Sequence, residues 1–290
     1  MFSNANLSKI ASSRTWIFAL VVLALFTLAG APGAQAAPTV TIDAGPSDPS
    51  NDQTPSFTFT VSGTTGNVDI ECAMDAGSYS DCTSPYEAST LAEGSHNFYV
   101  RATDDTGTSG NTMSWYIDLT APTVSVDSGP ANPTNSQSAA FTVSSDDDQD
   151  GESVACEIDG NAADCASNTG LAEGAHTFTA TVTDAAGNSA SDTHTWYIDL
   201  TDPTATITAN PDAETNSQSA TFTSTVDDSY DNSPSRACTL DGSAVGDCDA
   251  QIDNLAEGSH TFVVTATDAA GNSASASYTW LVDITAPSVS

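Results

Sequence analysis

Along most of this chain apolar and polar residues alternate. In AHTFTATVTD (175–184), ATFTSTV (220–226), HTFVVTATD (260–268) and YTWLVD (278–283), small, apolar or aromatic residues recur at a two-residue period, with threonine or serine at many of the positions between. A two-residue period predicts strands with one buried face. Gly, Asn, Asp and Pro interrupt it at roughly the 8- to 12-residue spacing expected of a β-sandwich. No stretch after residue 37 carries a helical period, so the fold class is all-β.

The pattern differs only near the start. Lys9 and Arg14 precede an apolar run from Trp16 to Gly30, followed by Ala34-Gln35-Ala36. This order is that of a secretory signal peptide over 1–36, cut before Ala37. The run is shorter than the about 20 residues a membrane span needs. The remaining chain is therefore expected outside the cell or at its surface, without membrane insertion after cleavage.

The strand pattern itself repeats. Proline opens a unit at Pro38, Pro122 and Pro203, and Pro287 opens a fourth. Each full unit carries a cysteine pair, Leu-Ala-Glu-Gly-x-His-x-Phe or a close variant, a Thr-Asp turn, a tryptophan and Asp-[Leu/Ile]-Thr-x-Pro, in that order. The boundaries are 37–121, 122–202 and 203–286, with 287–290 beginning a further repeat. The cysteines fall as Cys72/Cys82, Cys156/Cys165 and Cys238/Cys248. In an exported chain the repeat selects a disulfide within each unit. Each would close a small loop, worth about 2–3 kcal/mol to a domain with a modest core. Asp-Gly in CEIDG and CTLDG is placed for a tight hairpin turn between the two cysteines.

The nonapeptide TDAAGNSAS occurs unchanged at 183–191 and 267–275. It lies between the last two strands of units 2 and 3, where Gly187 and Gly271 would take a positive φ. Asp184 and Asp268 would accept hydrogen bonds from amides just ahead of them. Unit 1 has TDDTGTSGN, keeping the Asp and Gly while the rest drifts. The expectation is therefore a turn motif.

The order ACTLDG…DC, LAEGSHTFVVTATDAAGNSAS and YTWLVDITAP resembles the bacterial and archaeal Ig-like repeat domains of large secreted and cell-surface proteins. The resemblance covers almost all of residues 38–286. It implies three tandem Ig-like, fibronectin-III-like antiparallel β-sandwiches, of the kind that form adhesin stalks, some of them stiffened by calcium. It also implies that LAEGxHxF is the corner entering the penultimate strand, with Leu91, Leu171 and Leu255 buried and the following histidine structural.

Charge narrows the partners. Beyond the leader, 38 acidic residues face only Arg101 and Arg236. Such a surface repels phosphate backbones, which excludes nucleic acid, and it attracts cations. One segment has calcium-loop spacing. In DDDQDGESVACE, Asp146, Asp148, Asp150 and Glu157 match D-x-D-x-D-G-x5-E, although the flanks read as strands and not as helices. A second cation position is expected at the unit junctions, where Asp118, Asp199 and Asp202 could converge with a hairpin aspartate.

Enzyme chemistry finds no foothold. His96, His176 and His260 are one repeated residue, His194 stands alone, and no dissimilar groups converge as a catalytic site requires. The sequence thus predicts an extracellular structural or adhesive stalk of tandem repeats, calcium being its candidate cofactor and no catalytic residue being assigned. The alternatives are a module binding a surface ligand, protein or glycan, and a non-catalytic accessory region of a longer secreted enzyme.

Overall fold

The computed structural model describes residues 35–146 and 151–288. Every regular element among them is a β-strand, so no described helix is long and apolar enough to cross a membrane. The leader expected over 1–36 lies outside the described residues, apart from Gln35 and Ala36.

The strands form three successive sandwiches with separate cores. In unit 1, Thr39–Ala44 pairs with Ser56–Ser62, which also pairs with Tyr86–Glu87. The second sheet runs Ser80–Asp81, Asp69–Met74, Gly94–Asp104, Gly107–Ile117. Units 2 and 3 repeat the long strands of this sheet as Ser153–Ile158, Gly174–Thr183, Ser189–Ile198 and as Ser235–Leu240, Gly258–Thr267, Ser273–Val282. In every unit a short segment at Ser50, Thr134 or Glu214–Thr215 joins the last strand in parallel. All other pairings between named strands are antiparallel, which makes the chain a tandem array of Ig-like β-sandwiches.

The alternating pattern becomes the core directly. In Gly174–Thr183 the residues His176, Phe178, Ala180 and Val182 are buried, while Thr177 between them is exposed. One aromatic pair bridges the two sheets at the same place in each unit. Phe57 stacks on Phe98 at 4.2 Å, Phe141 on Phe178 at 3.8 Å and Phe222 on Phe262 at 4.0 Å. Trp115, Trp196 and Trp280 pack beside these pairs and are buried. Each such aromatic contributes on the order of 1.5–3 kcal/mol by leaving water.

All three disulfides lie within single units, Cys72–Cys82, Cys156–Cys165 and Cys238–Cys248. In units 2 and 3 the turn between the cysteines is a two-residue hairpin, with Asp159-Gly160 and Asp241-Gly242 all at positive φ. This is the conformation that suits Asp-Gly in a tight hairpin. The corner leucines are less uniform than the repeat implies. Leu255 is buried, but Leu91 and Leu171 are only half-buried, so two of the three corners leave their leucine partly in water.

Candidate functional site

The repeated nonapeptide does form the hairpin tip between the last two strands of units 2 and 3. Asp184 Oδ1 accepts the amides of Gly187 and Asn188 at 2.7 and 2.8 Å, and Asp268 does the same with Gly271 and Asn272. Gly187 and Gly271 have φ of 98° and 97°. A side chain would be strained there.

The tip also does something the turn alone does not require. The Asn188 side-chain amide donates to the carbonyl of Asp118 at 3.0 Å and to that of Thr120 at 3.3 Å. Both acceptors belong to the strap leaving unit 1. A third contact, to Asp184 Oδ2 at 2.8 Å, aims the amide across the junction. The Asn51 amide of unit 1 donates in turn to the carbonyl of Ala186. At the next junction Asn272 donates to the carbonyl of Asp199 at 2.9 Å and to Asp268 Oδ2 at 2.8 Å. Each tip therefore fastens its own unit to the one before it.

The expected turn motif is present, and it carries a junction contact beyond it, whose signal was present in the sequence. Between the paired His and Trp of the last hairpin, unit 1 is one residue shorter than units 2 and 3. The missing position is the one that holds Asn188 and Asn272. Thr103 pairs with Thr108 and Asp104 with Gly107, so the tip closes earlier. Asp104 there accepts the amides of Thr65, Thr106 and Gly107, all within unit 1. The unit with no described unit before it lacks the asparagine.

The strap is held from its own side as well. Asp118 and Asp199, at 1% and 2% exposure, donate their amides to Ser50 and Thr134 and accept the amides of Thr120 and Thr201. Burial raises the Asp199 pKa above its ordinary value. The Thr201 amide opposes this, while repulsion from Asp228, Asp268 and Glu173 adds to it. Asp202, expected to converge with these groups, is exposed. A side-chain amide spans each junction, and among the described residues no three His, Cys, Asp or Glu side chains form a metal-holding group.

Of the calcium-loop residues, Asp148 and Asp150 lie outside the described residues. Asp146 ends the strand Thr142–Asp146, and Glu157 sits in Ser153–Ile158 of another sheet; both are exposed. Glu157 is paired between Ala162 and Thr179, and Glu152, not singled out by spacing, is the carboxylate that accepts a hydrogen bond from Ser145 at 2.6 Å.

The three repeated histidines are tied at both ring nitrogens. Nδ1 of His96, His176 and His260 meets Asp75, Asp159 and Asp241 at 2.7–2.9 Å, and Nε2 meets the carbonyls of Ala92, Ala172 and Ala256. The same aspartates accept the next backbone amide, at Asn97, Thr177 and Thr261. The geometry locks the cysteine hairpin or its equivalent turn to the corner and leaves no free ring nitrogen for chemistry.

Asn132, Pro133, Tyr197, Asp199, Tyr230, Asp231 and Ala269 line an open cleft of about 320 Å³ at the junction of units 2 and 3. The Tyr197 and Tyr230 rings are 5.2 Å apart, and the side-chain hydrogen bond between them, which favours the neutral Tyr197 hydroxyl, is the main cause that pushes the Tyr197 phenol up to about 12. Tyr230 is 53% exposed.

No protein-family profile and no curated protein matches the chain. Solved structures do, at low identity. Fibronectin(III)-like modules of CbhA from Clostridium thermocellum share 20% identity at a TM-score of 0.38, over 55% of this chain and 94% of theirs. A bacterial ice-binding adhesin concerned with host cell surface retention shares 17% at 0.35, over 86% of this chain and 98% of its own. A tetra-tandem repeat from the extending region of a large adhesion protein shares 21% at 0.32, over 86% and 75%.

Proposed function

We propose that this chain is an extracellular stalk segment, a series of disulfide-stapled sandwiches whose junctions are fastened to hold a preferred interdomain angle. The observation that carries this is the pair of asparagine bridges, Asn188 to the Asp118 carbonyl and Asn272 to the Asp199 carbonyl. A flexible tether needs no such contacts, and a stalk that transmits position or force does. The straps are only a few residues long, so a modest set of hydrogen bonds suffices to limit bending. Repeated histidines with both nitrogens bonded and tryptophans buried at 2% exposure support architecture over catalysis. Intra-unit disulfides support an oxidising, extracellular setting. Small-angle scattering on the oxidised chain tests the proposal. Asn188→Ala with Asn272→Ala should shorten the maximum dimension and broaden the distance distribution at unchanged disulfide content. Identical curves for the parent and the double variant would remove the basis for a fastened stalk.

A second role is favoured by the cleft at the junction of units 2 and 3. An exposed tyrosine face beside carboxylates and an amide suits the alternating apolar and hydroxyl faces of a sugar ring. A glycan array should then give saturable signal that Tyr230→Ala abolishes; signal unaltered by that change would assign the binding elsewhere.

A further inference from the structure

We infer that the far pole of unit 3 is built as a socket for the hairpin tip of another repeat unit, and that it admits only tips bearing Asp-x-x-Gly-Asn. At the two internal junctions the receiving strap has one construction. An aspartate follows the last strand, its amide donates to the parallel edge segment, its carboxylate accepts the amide two residues on, and that threonine reaches the corner glutamate. Unit 3 reproduces all of it. Asp283 donates to Thr215 at 2.9 Å and accepts the Thr285 amide at 3.0 Å, and Thr285 Oγ1 donates to Glu257 at 2.6 Å. Asn216 stands where Asn51 and Asn135 meet the incoming glycine, at 3.4 and 3.6 Å from where a Cβ on Gly187 and Gly271 would lie.

The difference is cover. Asp118 and Asp199 are buried beneath the following unit's tip, whereas Asp283, in the same local network, is exposed. The strap of unit 3 thus has the construction of the two that receive tips, and the Asp283 carbonyl would be its acceptor. Preorganised acceptors of this kind lower the ordering cost of docking. The amide that fills it must come from the position after glycine at the tip. Unit 1 lacks that residue, because its hairpin closes one position early. A unit of that type fits at the head of a series and not behind unit 3. This polarity rests on the junction geometry and not on the stalk proposal: a pole that fills correctly on a flexible chain would sink only the latter.

Two extended chains test it, each joined after Ala286 so that proline follows as at the natural junctions. One carries a second copy of 203–286 and the other a copy of 38–121. Mass spectrometry first establishes four disulfides in each. Amide exchange of the peptide around Asp283–Ala286 is then compared with the unextended chain. The 203–286 copy should slow it about 5-fold, the scale of one net hydrogen bond, and the 38–121 copy should leave it as it was. Equal slowing by both, or slowing by neither, overturns the inference. Independently of any added unit, Asn272→Ala in the unextended chain should speed exchange at 199–202 by a similar factor without altering 118–121. No change at 199–202 would overturn it equally.

Discussion

Each of the three repeated histidines faces two acceptors, a carboxylate and a backbone carbonyl. A neutral imidazole has a single N–H and satisfies one of them; the imidazolium satisfies both. For His260 the Ala256 carbonyl and then Asp241 raise the pKa above its ordinary value, against burial. For His96 and His176 burial is the largest influence and lowers it, but the carbonyl and the carboxylate together outweigh it, and the net direction is again upward. The partner aspartates move the other way. Burial raises Asp75, Asp159 and Asp241, and the histidine and backbone amide bonds lower them further than that. A raised histidine stabilises the fold fully below its unfolded value of 6.5 and loses that contribution as pH climbs through the folded value. A lowered aspartate contributes above 3.8 and loses it as pH falls. Both contributions coexist in the interval between those values. Thermal melts should therefore show Tm falling between mildly acidic and alkaline buffer, and the triple variant His96→Gln, His176→Gln, His260→Gln should flatten the dependence. A variant with the parent's slope would mean that the ring charge has no part in it.

At the scale of elements, the cysteine hairpin and the penultimate strand depend on each other. In unit 2 the hairpin strands Ser153–Ile158 and Asn161–Ala163 are tied by Cys156–Cys165, and Asp159 in the turn is tied to His176 across to Gly174–Thr183. Opening the disulfide frees the short strand while the Asp159 contacts stay. Replacing Cys156 and Cys165 by alanine should cost unit 2 about 2–3 kcal/mol, the loop-closure estimate for so small a ring. Because the three cores are separate, denaturant unfolding followed unit by unit should displace the unit 2 transition far more than the other two. A uniform shift of all three would imply that the sandwiches unfold as one body. Sequence pattern alone located these strands, since period-two burial requires only local information. It also located the disulfides, because each repeat holds a single pair. It did not reveal that the hairpin aspartate and the corner histidine are partners. Asp159 and His176 are 17 positions apart, and only strand register brings them to 2.7 Å.

Among the described residues both arginines, Arg101 and Arg236, are already committed. Arg101 pairs with Glu71 at 2.8 Å and lies over the Tyr79 ring, and Arg236 pairs with Asp249 while donating to the Ser224 carbonyl. The formal net charge of −34 is thus left to solvent and counterions. At the junction of units 2 and 3, Asp199 is buried and repelled by Asp228, Asp268 and Glu173. Raising sodium chloride from millimolar toward molar should increase Tm as screening shortens from tens of ångströms to about 3 Å. Scattering in the same series should show the junctions stiffening. A Tm that falls with salt would mean that attractive pairs, and not repulsion, dominate the electrostatics.

The sequence by itself determined the class of fold, the number of sandwiches, the staples and the strand faces. All of these follow from short-range periodicity copied three times. It also contained the clue to the junctions, a single residue absent from the first hairpin, but gave that absence no meaning. Only the tertiary structure decided that Asn188 and Asn272 reach out of their own unit. Their acceptors are main-chain carbonyls about 70 positions earlier in the chain. A carbonyl belongs to every residue type and leaves no mark in a sequence; its availability depends on where the preceding strand ends and which way the strap turns.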